Sequence, residues 1–533
     1  MWTRSGSGDP SRRGAGTAAG HRGVGGPGIS SQWTKSRLSP IISESLVTAP
    51  LVFVSSHAHR RPVSVCPRCR SLVLIVLLAA GVVGLFGACS SSSDNAPSDP
   101  TQQAIDGVGE PAWVEDAVVY EVFIPDASKE GTFRGLIDRL DEIEEMGVTT
   151  LWLMPIHPIG EKRRKDEIGP LGSPYSIRDY YGVNPNYGTK EDFRALVDSV
   201  HARDMHLILD LVANHTAWDH PWLTQNPEMY TSGPMNGFTV PVMDGDTTDW
   251  TDVVDLDYEH PQTRQSMIDI MQYWVREFDV DGYRCDVAGA VPRDFWNAAI
   301  DSVEKIKPVL MLAEDADPAM HDVGFDYTYA WPYYAQLKKV WAEDRPVSSL
   351  TDQVTTTRTN LPPAAERLRF TTNHDESMWD ATPPELFGGI EGSKAAFVLS
   401  STLPGVPLLY NGQELGVKDT VSFFARTQYE WSERRPIRSF YRTFITLYRN
   451  HPALQDGTLT VHTPDATDVL VYSRTADGRE ILIAVNVRGS EKTVELPDPY
   501  RDAAMVDAMN GGRVQGDSLV LGAYEYRLLD VGA

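Results

Sequence analysis

From Val118 onward the chain alternates between two hydrophobic rhythms. Runs of apolar and β-branched residues read as strands: Val118–Ile124, Val148–Pro155, His206–Val212, Asp281–Val287, Val309–Glu314, residues 325–331, Leu368–Asn373 and Val406–Tyr410. Between them, apolar residues recur three or four apart. Leu136, Ile137, Leu140, Ile143 and Met146 share one helical face, and Gly147 ends that helix; Phe193–Arg203 and Met267–Phe278 repeat the spacing. Near-continuous apolar strands between amphipathic helices are the pattern of parallel strands covered on both faces. Eight such units predict an α/β fold, a (β/α)8 TIM barrel with insertions. An open doubly wound sheet is the alternative, but no glycine-rich phosphate turn follows the first strand.

Two regions break the rhythm. Residues 216–257 are longer than a barrel loop and scatter Trp, Pro and Gly, which predicts a small inserted subdomain after the third strand. After about residue 455 the helical spacing stops. Asp468–Ser473, Glu480–Asn486, Lys492–Leu496, Ser518–Leu521 and Glu525–Leu529 are short strands near Gly, Asp or Pro turns, the pattern of a C-terminal all-β sandwich. The expected domains are therefore a barrel over 112–452, with 216–257 inserted, and a β-sandwich over 453–533.

The N-terminus follows a different logic. Arg68 and Arg70 precede an apolar run from Ser71 to Ala88 that ends at Cys89, the layout of an export signal. Leu85-Phe-Gly-Ala-Cys89 resembles a bacterial lipobox, with Phe86 a departure from it, and that resemblance implies lipidation at Cys89 as the mature N-terminus. A plain membrane anchor is the alternative. Residues 1–88 read as a disordered N-terminus plus export signal, or the true start codon lies downstream, and residues 89–111 as a flexible linker. The expectation is an exported protein facing outside, attached to the membrane through a lipid anchor or signal segment only, or else secreted.

Charge narrows the partners. The chain carries a formal −25, and its first 88 residues hold ten Lys/Arg against two Asp/Glu, so the body is more acidic still. Such a body repels nucleic acid and anionic lipid and is compatible with a neutral ligand such as a sugar. Cysteine is sparse: Cys66 and Cys69 have the spacing of half a zinc site with no second half, Cys285 sits in a strand, and no disulfide framework is available.

Four acidic segments carry the candidate chemistry: Asp210-Leu-Val-Ala-Asn214-His215, Gly282-Tyr-Arg284-Cys-Asp286, Leu312-Ala-Glu314 and Asn373-His374-Asp375. Each closes a predicted strand, at the end of a parallel barrel where active sites are built. Singly, each has a plain reading as a helix cap, an ion pair or a polar turn. Four in order favour convergence.

Taken together they resemble the α-amylase family of retaining α-glucoside hydrolases and transglycosylases, over residues 112–530. Gly172-Ser-Pro-Tyr175 to Tyr180, Asn184 to Thr189, and Gly405 to Glu414 extend the resemblance. It implies that Asp286 is the nucleophile, Glu314 the acid/base and Asp375 the group that binds the sugar hydroxyls and stabilises the transition state. Arg284 would hold Asp286, and Asp210 would brace Arg284. His215 and His374 would hydrogen-bond the sugar, and Tyr175 would stack on it. Glu314 must be protonated in its first step, which the neighbouring carboxylates are expected to favour. Asp315 is expected to point away. No organic cofactor is implied. Many members bind calcium, for which Asn214 and Asp257 are the candidate ligands, although Val254 stands where the family usually has Pro and Val287-Ala-Gly-Ala290 where many members carry Lys-His. Trp218, Trp222, Trp250 and Trp379 are sugar platforms or core residues. The implied activity is hydrolysis of α-1,4 bonds in starch-, glycogen- or maltodextrin-like chains. The rivals are an α-glucan transglycosylase, a cyclodextrin- or oligosaccharide-acting α-glucosidase, and a non-catalytic glucan-binding lipoprotein.

Overall fold

In the computed structural model, residue 111 and residues 113–243, 245–362, 365–431 and 436–532 are described. The export signal, Cys89 and the linker before residue 111 lie outside them. Eight parallel strands close into a barrel: β1 (Val119–Val122), β2 (Thr150–Leu153), β3 (His206–Leu211), β4 (Gly282–Cys285), β5 (Leu310–Ala313), β6 (Tyr327–Tyr329), β7 (Glu366–Arg369) and β8 (Val406–Tyr410). Each pairs with the next, and Val119↔Leu408 closes β1 on β8. Helices outside and side chains inside leave most strand residues buried, which is why the strands read as unbroken apolar runs.

Two elements differ from expectation. The seventh strand, expected at Leu368–Asn373, pairs at Glu366–Arg369. Arg367 and Arg369 hold it there: Arg367 donates to the Ala316 carbonyl (2.8 Å) and Thr328 Oγ1 (2.6 Å), and Arg369 to the Pro404 carbonyl (2.9 Å). Residues 370–373 are thereby freed to carry His374 and Asp375 beyond the strand end. The first helical stretch, expected as one helix, is two, Phe133–Ile137 and Leu140–Glu145. Between them Arg139 is buried, donates to the Ala127 carbonyl at 2.6 Å and lies over the Trp431 ring.

The helix Lys190–His201 opens with a capping box between Thr189 and Asp192. The insertion begins as His215–Ala217, which pairs antiparallel with Val253–Asp255 and encloses two short hairpins. At the C-terminus a six-stranded sheet faces a two-stranded one, Lys492–Glu495 with Ser518–Leu521. Strand alternation divides its side chains. Leu470, Tyr472, Ile481, Ile483 and Val485 join the barrel's core. Val471, Leu482 and Ala484 pack with Leu496, Leu521 and Leu529 inside the sandwich. Among the described residues no helix is long and apolar enough to cross a membrane.

Candidate active site

The site is built around one guanidinium. Gly282 opens β4 because any Cβ there would meet the Leu310 carbonyl oxygen at 2.0 Å. Two residues on, Arg284 is fully buried and aligned with Asp210 on β3 and Leu312 on β5. Its Nη1 donates to Asp210 Oδ1 (3.0 Å) and Oδ2 (3.2 Å) and to Asp286 Oδ1 (2.9 Å). Its Nη2 makes an ion pair with Glu314 Oε1 at 2.7 Å, off the direction of a hydrogen bond. Its Nε donates to the Tyr329 hydroxyl at 3.2 Å. Three carboxylates from three adjacent strands thus converge on one permanent cation.

Val287, next to Asp286, adopts φ 38° and ψ 48°, a left-handed conformation that is strained for a β-branched residue. Its N–H donates to Glu314 Oε2 at 2.8 Å, so the strained turn also fixes the acid. The Glu314 carboxyl is pushed up to about 8. Burial is the main cause, opposed by Arg284 and reinforced by Asp286 and Asp375. The direction agrees with the sequence-based expectation, but desolvation leads where the neighbouring carboxylates were expected to. Asp210 is pushed up to about 7, again first by burial, with Arg284 opposing. It lies beneath the cluster, taking hydrogen bonds from Trp152 Nε1 (3.2 Å) and the Tyr175 hydroxyl (3.1 Å).

The fourth segment is set by a cap. The Asn373 side chain accepts the Glu376 N–H and starts the helix His374–Trp379, placing His374 and Asp375 in its first turn. His374 Nε2 lies 2.8 Å from the Tyr175 hydroxyl and 3.3 Å from Asp375 Oδ2. Its Nδ1 is in hydrogen-bond contact with Glu121 Oε1. The half-buried Tyr175 ring stacks on the imidazole, centroids 5.3 Å apart and 22° from parallel. Burial by itself would lower the His374 pKa, but Asp375 and Glu121 outweigh it and raise it to about 9. His215 is also buried, and there burial prevails over Asp286 and Asp252 and lowers the imidazole. His215 lies 5.7 Å from the Trp250 ring.

Asp210, Arg284, Asp286, Glu314, Tyr175, His374 and Asp375 therefore form one connected cluster, with His215 within the field of Asp286. Glu121, Trp152 and Tyr329 belong to it too and were not singled out from the sequence. Glu121 did leave a signal, an acid amid the apolar run Val118–Ile124, where an unpaired carboxylate would be costly. Asp315 turns away and accepts the Asp317 N–H at 2.8 Å. Its Oδ2 lies 2.0 Å from where a Cβ on Gly289 would stand, so a side chain at that departure from the family pattern requires Asp315 to move. Glu414, at the end of the β8 segment, takes the Tyr120 hydroxyl at 2.6 Å and the Gly412 N–H at 2.9 Å.

Of the calcium candidates, the Asn214 side chain hydrogen-bonds the Asp255 carboxyl and Asp257 acts on the same carboxyl through its field. The Asn214 carbonyl accepts the Leu256 N–H at 3.0 Å, and Asp257 Oδ1 accepts the Glu259 N–H at 2.9 Å. Among the described residues no three His, Cys, Asp or Glu side chains converge on a metal position. Trp218 is core, with its Nε1 on the Thr251 carbonyl. Trp222 packs on Tyr180 and His220, Trp250 is half-buried, and Trp379 is 47% exposed.

This geometry has relatives. The model of the α-amylase catalytic domain matches residues 100–240 and 246–307. An α-amylase structure from Lactobacillus plantarum is 30% identical, with a TM-score of 0.70, and the match covers 79% of this chain and 100% of that one. The chain belongs to the α-amylase family. A maltogenic α-amylase structure from Thermotoga neapolitana is 29% identical, again at TM-score 0.70, over 79% of this chain and 99% of that one. The α-amylase MalA of Haloarcula japonica is 27% identical over 430 residues, which span 77% of this chain and 61% of that protein's length. As a family member the chain is a glycoside hydrolase acting on α-glucans.

Proposed function

We propose that this family member hydrolyses α-1,4-glucosidic bonds of starch-, glycogen- or maltodextrin-type chains with retention of the α-anomer. Asp286 attacks the anomeric carbon while Glu314 protonates the leaving oxygen; a glycosyl–enzyme ester forms and the shortened chain departs. Glu314, now a carboxylate, takes a proton from water, which attacks the anomeric carbon of the ester, breaks its bond to the Asp286 oxygen and releases the Asp286 carboxylate. Asp375 binds the ring hydroxyls and stabilises the oxocarbenium-like transition state. Tyr175, His374 and His215 line the same sugar, and Asp210 braces Arg284.

The observation that carries this reading is the sharing of Arg284. Asp286 and Glu314 contact different nitrogens of one planar guanidinium, at 2.9 and 2.7 Å. That arrangement favours the separation of about 5 Å that double displacement needs over the wider gap that admits a water between the carboxyl groups. The raised Glu314 supports its role, because a general acid must hold its proton near neutral pH.

Incubation with maltoheptaose, followed by anomer-resolved NMR and a product profile, tests the proposal. α-Anomeric reducing ends support it. Longer or rearranged glucosides would indicate transglycosylation, and exclusive opening of cyclodextrins would indicate a narrower oligosaccharide activity. Binding without turnover overturns it. We also propose export and lipid attachment at Cys89, supported by the basic, apolar and small-residue layout of residues 68–89. Globomycin-sensitive processing of the full chain in a bacterial host is the matching test.

A further inference from the structure

Glu121 sits in the middle of β1 with no exposed surface, and no step of double displacement uses it. Its Oε1 faces His374 Nδ1 and lies 3.4 Å from the His374 backbone N–H, while its Oε2 is buried without a hydrogen-bond partner. The surrounding donors fix the protons. With Asp210 a carboxylate under the two Arg284 contacts, the Tyr175 hydroxyl gives its one hydrogen to Oδ2 at 3.1 Å and so accepts, at 2.8 Å, from Nε2–H of His374. Oε1 of Glu121 is positioned as an acceptor for the backbone N–H, which makes it an acceptor from Nδ1–H as well. Both ring nitrogens then carry hydrogen.

We propose that Glu121 is a positioning residue of the hydrolytic site: by holding Nδ1–H it keeps His374 an imidazolium and holds Nε2–H between the Tyr175 hydroxyl and Asp375, where a sugar hydroxyl in the cleavage subsite takes it over. The inference rests on the hydrolytic reading of that site. A charged donor makes the stronger hydrogen bond to a sugar hydroxyl. Burial raises the Glu121 carboxyl and His374 and Arg284 oppose that rise; as anions, Glu121 and Asp375 keep this wall from becoming positive opposite an oxocarbenium-like transition state. The other groups that face the pair are Arg284 on β4, Asp210 on β3, Tyr329 on β6, Tyr410 on β8 and Tyr175. Arg284 opposes the proton on His374 and Asp375 favours it.

The test pairs Glu121→Gln with the unmodified full chain. Nitrogen-15 NMR of the His374 ring, assigned by loss of its signals in His374→Asn, follows the imidazolium directly and needs no substrate. The unmodified chain is expected to keep both nitrogens protonated through neutral pH. Glu121→Gln, near-isosteric but uncharged, is expected to lower the titration midpoint by about one to three units. On maltoheptaose its kcat at neutral pH should fall about tenfold and recover towards acid pH, with KM little changed. An ordinary histidine midpoint in the unmodified chain, or a kcat–pH profile of Glu121→Gln that superimposes on the parent's, overturns the proposal. If the parent turns over no α-glucan, the hydrolytic reading fails, and the NMR arm still decides whether Glu121 governs His374.

Discussion

Two histidines in this site are nearly alike in burial, and their surroundings shift them in opposite directions. His215 follows β3 and His374 lies beyond β7. Desolvation disfavours the imidazolium at both. At His215 it wins, because Asp286 and Asp252 act only through their field. At His374 it loses, because Glu121 is in contact from below and Asp375 lies 3.3 Å away. Acidity of the barrel end in general does not charge a buried histidine. A carboxylate in direct contact does, and the second layer thereby decides what the first can offer a substrate.

The most severe way to probe this contrast is at the group that separates the two. Asp286 acts directly on His215, whereas the carboxylates nearest His374 are Glu121 and Asp375. Asp286→Asn should reduce kcat on the order of 10^4-fold while the melting temperature and the charge of His374 stay unchanged, as calorimetry and histidine NMR would report. Next is the support beneath both walls. Arg284→Met strips Asp210, Asp286 and Glu314 of their common cation and should cost about 3–5 kcal/mol in urea unfolding, as breaking a buried ion pair does.

The histidines themselves come third. His374→Asn removes a charged donor and should lower kcat by about 10²–10³-fold. His215→Asn removes a neutral one and should lower it by only about tenfold. Equal losses would erase the distinction.

The smallest effect is on stability against pH. His374 is raised in the folded state, so its contribution is complete below the ordinary histidine value and is lost as pH rises through about 9. His215 is lowered, so its contribution is present above the ordinary value and is lost as pH falls below it. Deleting each histidine should flatten opposite limbs of the unfolding free energy measured across that range. Activity has a separate alkaline limit, since kcat/KM should fall as Glu314 loses its proton near pH 8.

Much of this molecule was legible in its residues. The barrel strands stand out because both faces are covered, so each is a nearly unbroken apolar run. The acids at Asp210, Asp286, Glu314 and Asp375 stand out because each interrupts such a run at its end. Glu121 was hidden by the same logic: one acid within Val118–Ile124 looks like an ordinary strand residue until its partner is known, and that partner is 253 residues away. The early start of β7 was hidden as well, because Arg367 and Arg369 resemble solvent-facing positions until their carbonyl partners are in place. Nothing local marks Val287 for a left-handed turn; that strain is imposed by the junction between Asp286 and Glu314.

The sequence by itself determined the order of strands and helices and the identity of the groups at the strand ends, because period and residue type are local properties. Tertiary structure alone decided which of those groups carries a proton: desolvation and Coulomb energy depend on neighbours brought together by barrel closure, with Glu121 under His374, Arg284 between three acids, and Glu314 buried enough to remain an acid.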